Sequence, residues 1–156
     1  MKKSFLVLVV ILCVVFACSD KKTSNNSQNM PSDTTPRDQI SVGDTVYLAS
    51  GVKYVFLKKS DKGDFFGPDR VVSTHIILKA NGNKVWSTYE PLQPFVFVQN
   101  KQPMIEGFKE AIKFMRVGDR IMAVIPSDLG YGPSGNGPSI PPNALLHFDI
   151  EILEIQ

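Results

Sequence analysis

Few side chains in this 156-residue chain have the chemistry and the spacing to attack, ionise or ligate. The two histidines, His75 and His147, stand far apart, and the two cysteines, Cys13 and Cys18, lie close to one end. They form no zinc-ligand spacing. There is no GxSxG elbow, no Walker loop and no dinucleotide fingerprint. The acids are scattered, so a paired-carboxylate site cannot be argued. Any chemistry here is expected to need no nucleophile, no metal and no cofactor. What remains is aromatic and aliphatic residues beside loops. "GYGPSGNGPSIPP", from Gly130 to Pro142, holds eight glycines and prolines in thirteen positions. One tyrosine, Tyr131, and one large aliphatic, Ile140, interrupt it, and an alternating strand follows. For any one such residue ordinary core packing is the commoner role, so the combination must carry the argument.

The elements that would position these residues are mostly strands. "KYVFLK" (53–58) and "VVSTHIIL" (71–78) are rich in β-branched and aromatic residues. Asn81-Gly82 is a tight-turn signal. "PFVFV" (94–98) and "RIMAVI" (120–125) are further short strands. The one convincing helix lies in "MIEGFKEAIKFMRVGDR", where Phe108, Ala111, Ile112 and Met115 recur at i, i+3, i+4 and i+7. Val117-Gly118 is expected to end it. In the last strand Leu146, Phe148, Ile150 and Ile152 share one face, while His147, Asp149 and Glu151 share the other. The pattern shifts near Leu153 and Ile155, which suggests a bulge. Many strands and one amphipathic helix make an α+β domain, a mostly antiparallel sheet wrapped around the helix.

Residues 1–17 read as a signal peptide. Lys2 and Lys3 precede an apolar run from Phe5 to Ala17, thirteen residues long. A helix crossing a bilayer needs about 20, whereas a charged start and a short apolar core suit export. "VFAC" resembles a bacterial lipobox, which implies cleavage before Cys18 and lipid on that cysteine. An ordinary signal peptide with a chance cysteine is the alternative. Removing 1–17 takes away two lysines and no acid, so the formal charge of +2 falls to zero. Nucleic acid is therefore not an expected partner. Residues 18–40 are polar and rich in Ser, Thr, Asn and Pro, and read as a lipidated cysteine on a flexible tether. Such a coil reaches roughly 25 Å. Residues 41–156 then form one domain.

"MIEGFKEAIKFMRVGDRIMAVIPSDLGYGPSGNGPSIPPNALLHFDIEILEI" closely resembles the C-terminal half of FKBP-type peptidyl-prolyl isomerases. The family order is an apolar pair, Gly, an aromatic, a helix ending in Val-Gly, a strand, Pro, Tyr-Gly, a Gly-rich loop, Ile-Pro-Pro and a Phe-Asp strand. "SGVKYVFLKKS" and "PFVF" upstream are also similar to family segments, so the resemblance covers roughly residues 45–156. It implies a pocket with Phe108 as floor, where the family more often has tryptophan, and Phe95 and Phe148 as walls. Met104 and Ile105 would form a rim, with the Ile105 N–H donating to a substrate carbonyl. Tyr131 would offer a second donor, and the Gly/Pro loop would be a flap with Ile140 as its apolar contact. Counting back from Asn81-Gly82 puts His75 where the family has a pocket tyrosine, and Val85-Trp86 where it has Phe-Asp. His75 is otherwise a half-buried strand histidine, and Trp86 either core filler or a pocket wall.

The implied activity is peptidyl-prolyl cis-trans isomerisation of exported proteins by an apolar pocket that favours the twisted amide. The alternative is an FKBP-fold chaperone or binding module with weak turnover or none. The expected partners are proline-containing exported polypeptides and, through the lipid, a membrane. A monomer is expected, held in the bacterial cell envelope with its domain in the periplasm or at the cell surface. Lipoproteins of this form are also similar to isomerases associated with bacterial gliding motility.

Overall fold

The computed structural model describes residues 34–156. Residues 1–33, which hold the expected signal peptide, Cys18 and most of the expected tether, lie outside the described residues. Seven strands form one sheet: β1 (Thr45–Tyr47), β2 (Lys53–Lys58), β3 (Val71–Ala80), β4 (Asn83–Ser87), β5 (Phe95–Val98), β6 (Arg120–Ile125) and β7 (Leu146–Ile155). Their order is β1-β2-β6-β7-β3-β4, with β5 pairing β3 as well, and every pairing is antiparallel. The single α-helix, α1, spans Glu106–Ile112. Strands β2, β3, β5 and β6 fall where their β-branched runs predict. β1 and β4 are short and were not foreseen as strands.

The sheet has one buried face because its sequence alternates. Val72, Thr74, Ile76, Leu78 and Ala80 of β3 point inward, as do Ile121, Ala123 and Ile125 of β6. Side chains in a strand alternate faces, so a run of every-second buried residues commits the whole strand. Phe108, Ala111 and Ile112 of α1 are buried against this face. The helix comes very close: a Cβ on Gly107 would lie 2.2 Å from Ile125 Cγ2. Only glycine permits that approach.

Two expectations shift at element ends. The helix stops at Ile112 rather than at Val117-Gly118. Beyond it the chain tightens into short turns, with Lys113 N–H donating to Glu110 O and Met115 N–H to Ile112 O. This keeps Met115 fully buried and lets Phe114 stack on Tyr54. The tether boundary also moves. Residues 37–39 form a 3-10 turn, and Ile40 is buried. The Arg37 guanidinium donates to Asp119 Oδ1 at 2.8 Å and to Ser60 O at 2.8 Å, and sits 4.8 Å over the Phe56 ring. Asp119 is wholly buried and also accepts the Ser60 and Arg116 N–H groups, both at 2.7 Å. A buried carboxylate requires such partners, so the packed domain includes Arg37. The bulge read near Leu153 is present: Ser73 faces Glu154 while Thr74 faces Ile152, leaving Leu153 extra.

Candidate active site

Five aromatic rings run through the molecule in contact with one another. Trp86 meets Phe95 edge-on at 5.7 Å, and Phe95 stacks on Phe97 at 5.6 Å. Phe97 meets Phe108 edge-on at 6.1 Å, and Phe108 meets Phe148 edge-on at 5.4 Å. Edge-to-face contacts place a ring's positive rim against a neighbour's negative face. The chain links β4, β5, α1 and β7, and so holds four elements in one geometry.

A cavity of about 240 Å3 opens above these rings. Phe108 of α1, 3% exposed, is its floor, with Phe148 of β7 beside it. Phe95 and Trp86 form one wall, and Ile76 and Leu78 of β3 another. Gln102, Pro103, Met104 and Ile105 make the rim leading into α1, and Tyr131 closes the mouth from the loop after β6. No lining residue carries a charge. Ile105 is the helix N-cap, so its N–H stands outside the intrahelical ladder. The Tyr131 hydroxyl has no hydrogen-bond partner among the described residues. These two donors and the Gln102 amide border a hollow whose other lining side chains are apolar. A crevice of about 280 Å3 beside Leu48 and Phe114 is unlike it, being bordered by Ser50, Glu110 and Lys113, with Ser50 bonded to Glu110. Among the described residues no group of three His, Cys, Asp or Glu side chains could hold a metal ion.

Seven residues singled out in the sequence meet at the cavity: Phe95, Phe108, Phe148, Met104, Ile105, Tyr131 and Trp86. Three do not. His75 occupies the opposite face of β3, where its ring stacks on Tyr89 at 4.5 Å and its Nδ1 lies 3.0 Å from Thr88 Oγ1. Its neighbour Ile76 takes the cavity position. Val85 is the extra residue of a bulge, since Leu78 pairs Trp86 while Lys79 pairs Lys84. The bulge turns Trp86 onto the Leu78 face, so the indole, 42% exposed, takes the place that the count from Asn81-Gly82 gave to Val85 as the counterpart of the family's phenylalanine. Ile140, 3% exposed, belongs to the core and does not border the cavity. It pins the loop from below: Asn136 N–H donates to Ile140 O at 2.8 Å. Gly135, at φ 64, has no room for a side chain, because a Cβ would meet Ile140 O at 2.3 Å.

Ile76, Leu78, Gln102 and Pro103 went unnoticed in the sequence. The alternation of β3 could have revealed the first two, since His75 cannot share a face with Ile76. Gln102 and Pro103 carried no periodic signal.

The chain is similar to known proteins. The description "FKBP-type peptidyl-prolyl cis-trans isomerase" belongs to the family whose profile matches residues 63–153. A Haemophilus influenzae protein, described as a probable FKBP-type peptidyl-prolyl cis-trans isomerase, is 36% identical over 107 residues, covering 68% of this chain and 43% of its own length. The FKBP-type peptidyl-prolyl cis-trans isomerase FkpA of Buchnera aphidicola is 32% identical over 137 residues, covering 87% of this chain and 53% of its own. The crystal structure of FkpA from Escherichia coli aligns with a TM-score of 0.65 at 28% identity, over 72% of this chain and 51% of that one. The chain spans about half the length of these relatives.

Proposed function

The chain belongs to the FKBP-type peptidyl-prolyl cis-trans isomerase family, and from that premise we propose that it catalyses rotation about Xaa-Pro bonds in other polypeptides. The observation that carries this reading is the uncharged, largely aromatic cavity with two donors at its edge. An Xaa-Pro amide resists rotation by roughly 18–20 kcal/mol, because twisting breaks its resonance. The planar amide has the larger charge separation, so it loses more than the twisted one on leaving water for an apolar hollow. Phe108, Phe95, Phe148 and Trp86 supply that hollow and grip the proline ring. The Ile105 N–H holds a substrate carbonyl, and the Tyr131 hydroxyl donates at the mouth. Donors set for the twisted geometry stabilise it selectively, and only such selective stabilisation raises the rate. A thousandfold acceleration needs about 4 kcal/mol, within reach of desolvation and two hydrogen bonds.

The test is exchange of an Xaa-Pro tetrapeptide between its cis and trans forms, followed by NMR with and without the protein. Acceleration by the wild type, lost when Phe108 is replaced by alanine in a folded variant, is the expected result. A tetrapeptide that binds but does not exchange faster would leave a chaperone or binding module instead.

The same proposal extends to place and clients. Cys18, following an apolar run and preceding a polar segment, would carry lipid and tether the domain to a membrane of the bacterial envelope. Exported proline-containing polypeptides would then be the substrates, met by a monomer in the periplasm or at the cell surface.

A further inference from the structure

Between Trp86 and Phe95, the two residues that form one wall of the cavity, the chain leaves the sheet. The tip of the intervening segment, residues 90–93, is exposed, and it includes Leu92 at φ 61 and 70% exposure. A bulky residue in the left-handed region, open to solvent, gives such a segment little hold of its own. One residue in it is different. Thr88 is 3% exposed and joins the segment to β3 at Ile76, which lines the facing wall. The Ile76 N–H donates to Thr88 Oγ1 at 2.8 Å, and the Thr88 N–H donates to Ile76 O at 2.9 Å. Gln93 N–H then closes the segment onto Thr88 O at 3.0 Å. The segment's other ties to the sheet run through side chains: Tyr89 N–H donates to Ser87 Oγ at 3.2 Å, the Tyr89 hydroxyl to Glu151 Oε2 at 3.1 Å, and Lys84 Nζ to Glu90 Oε2 at 2.8 Å.

We infer that Thr88 is a positioning residue for the cavity, holding Trp86, Phe95 and Ile76 in register through its side-chain hydroxyl. This rests on the isomerase reading for its kinetic consequence and on geometry alone for its structural one. A threonine hydroxyl has one proton and two lone pairs. One lone pair takes the Ile76 N–H. His75 Nδ1, at 3.0 Å, accepts the proton in one tautomer and donates to the second lone pair in the other, when the proton goes to the Ile76 carbonyl at 3.4 Å. His75 is itself held by stacking on Tyr89, whose hydroxyl donates to Glu151 Oε2 at 3.1 Å on β7. The outer face of the sheet thereby supports the inner one: His75, which does not reach the cavity, backs the hydroxyl that sets its wall.

The chain has a single tryptophan, and it is Trp86. Its emission therefore reports the wall directly. Thr88→Val keeps the shape and removes the hydroxyl, and Thr88→Ser keeps the hydroxyl. In the purified full chain, Thr88→Val is expected to remain folded, to lower kcat/KM on an Xaa-Pro tetrapeptide about tenfold, and to shift Trp86 emission to longer wavelength. Thr88→Ser is expected to restore both to within about twofold of wild type. A residue that only stabilised the fold would lower the melting temperature and leave the emission and rate of folded protein unchanged. Wild-type rate and emission in folded Thr88→Val overturn the inference, as does a Thr88→Ser variant as defective as Thr88→Val. Should Thr88→Val fail to fold, hydrogen exchange at Ile76 in wild type decides, since a rapidly exchanging amide contradicts the clamp. If wild type binds the tetrapeptide without turnover, the isomerase reading falls. The affinity read by Trp86 quenching then replaces the rate in the same comparison.

Discussion

Tyr131, Trp86, Phe148 and Tyr54 each make a different demand on their surroundings. The Tyr131 hydroxyl has no partner among the described residues, so on the proposed reading Tyr131→Phe removes one hydrogen bond to substrate and none from the described fold. A bond of that kind contributes about 0.5–1.5 kcal/mol, and turnover measured by tetrapeptide exchange should fall roughly two- to tenfold. Trp86 is a wall, so Trp86→Asp places a carboxylate against the edge of Phe95. Turnover should drop by more than about tenfold; a variant within twofold of wild type would remove Trp86 from the working surface. Phe148 is buried and touches Phe108, and Phe148→Ala should cost about 3–5 kcal/mol in a urea melt. Tyr54 bears on alkaline stability. Burial pushes its phenol up to about 12, against the opposing pull of Arg37. An unfolded tyrosine ionises near pH 10, so above that pH the unfolded chain releases a proton that the folded one keeps. The contribution is complete below about pH 10 and is lost as pH rises towards 12. Tyr54→Phe should flatten this decline, and parallel urea-melt profiles for both proteins would show the phenol to be open to water.

At the scale of elements, two contacts between distant parts of the chain hold the domain together. Gly107 lets α1 settle on β6, which brings Phe108 beneath the cavity. Gly107→Ala forces the added Cβ into Ile125, and overpacking of this kind costs about 1–3 kcal/mol. The floor moves with the helix, so the rate on a tetrapeptide should fall alongside the melting temperature. The turn before β1 is the other case. Arg37 gives buried Asp119 its only cationic partner among the described residues, beside two backbone amides. Arg37→Ala should destabilise the domain by about 2–3 kcal/mol, below the full loss for a buried pair because both amides remain. A chain starting at residue 41 should melt below one starting at residue 34; equal melting temperatures would return the boundary to residue 40.

On the scale of the whole molecule, the sheet separates two jobs. Its inner face holds the cavity, and its outer face holds a charged lattice of Lys58, Glu151, Tyr89, Arg120 and Asp149. Arg120 meets Asp149 through two bonds of 2.8 Å, the forked geometry that suits guanidinium and carboxylate. The proposed anchor acts on the molecule as one body. Cys18→Ser should release the protein from the membrane fraction and abolish lipid labelling. Unchanged fractionation with normal label would remove the lipid from the account.

Composition and periodicity by themselves determined a great deal. The stripe of Phe108, Ala111, Ile112 and Met115 announced the helix, and the alternation of β7 announced its strand and the slip at Leu153. The order of motifs from Met104 to Phe148 located most of the cavity only through the resemblance it carries to a known family; period and composition alone gave those residues no role beyond core. Tertiary structure decided the rest. Counting from Asn81-Gly82 specifies distance along the chain, but a bulge adds a residue without adding a pair. Val85 therefore yields the wall to Trp86. Ile76 rather than His75 faces inward by the plain alternation of β3, which the sequence already carried. Ile140 looked like a contact at the flap and is a pin beneath it, because burial depends on what folds over a residue from elsewhere. Arg37 looked like tether for the same reason. Its partner, Asp119, is 82 residues away, and no local pattern encodes an ion pair that exists only once the turn before β1 and the turn before β6 have met.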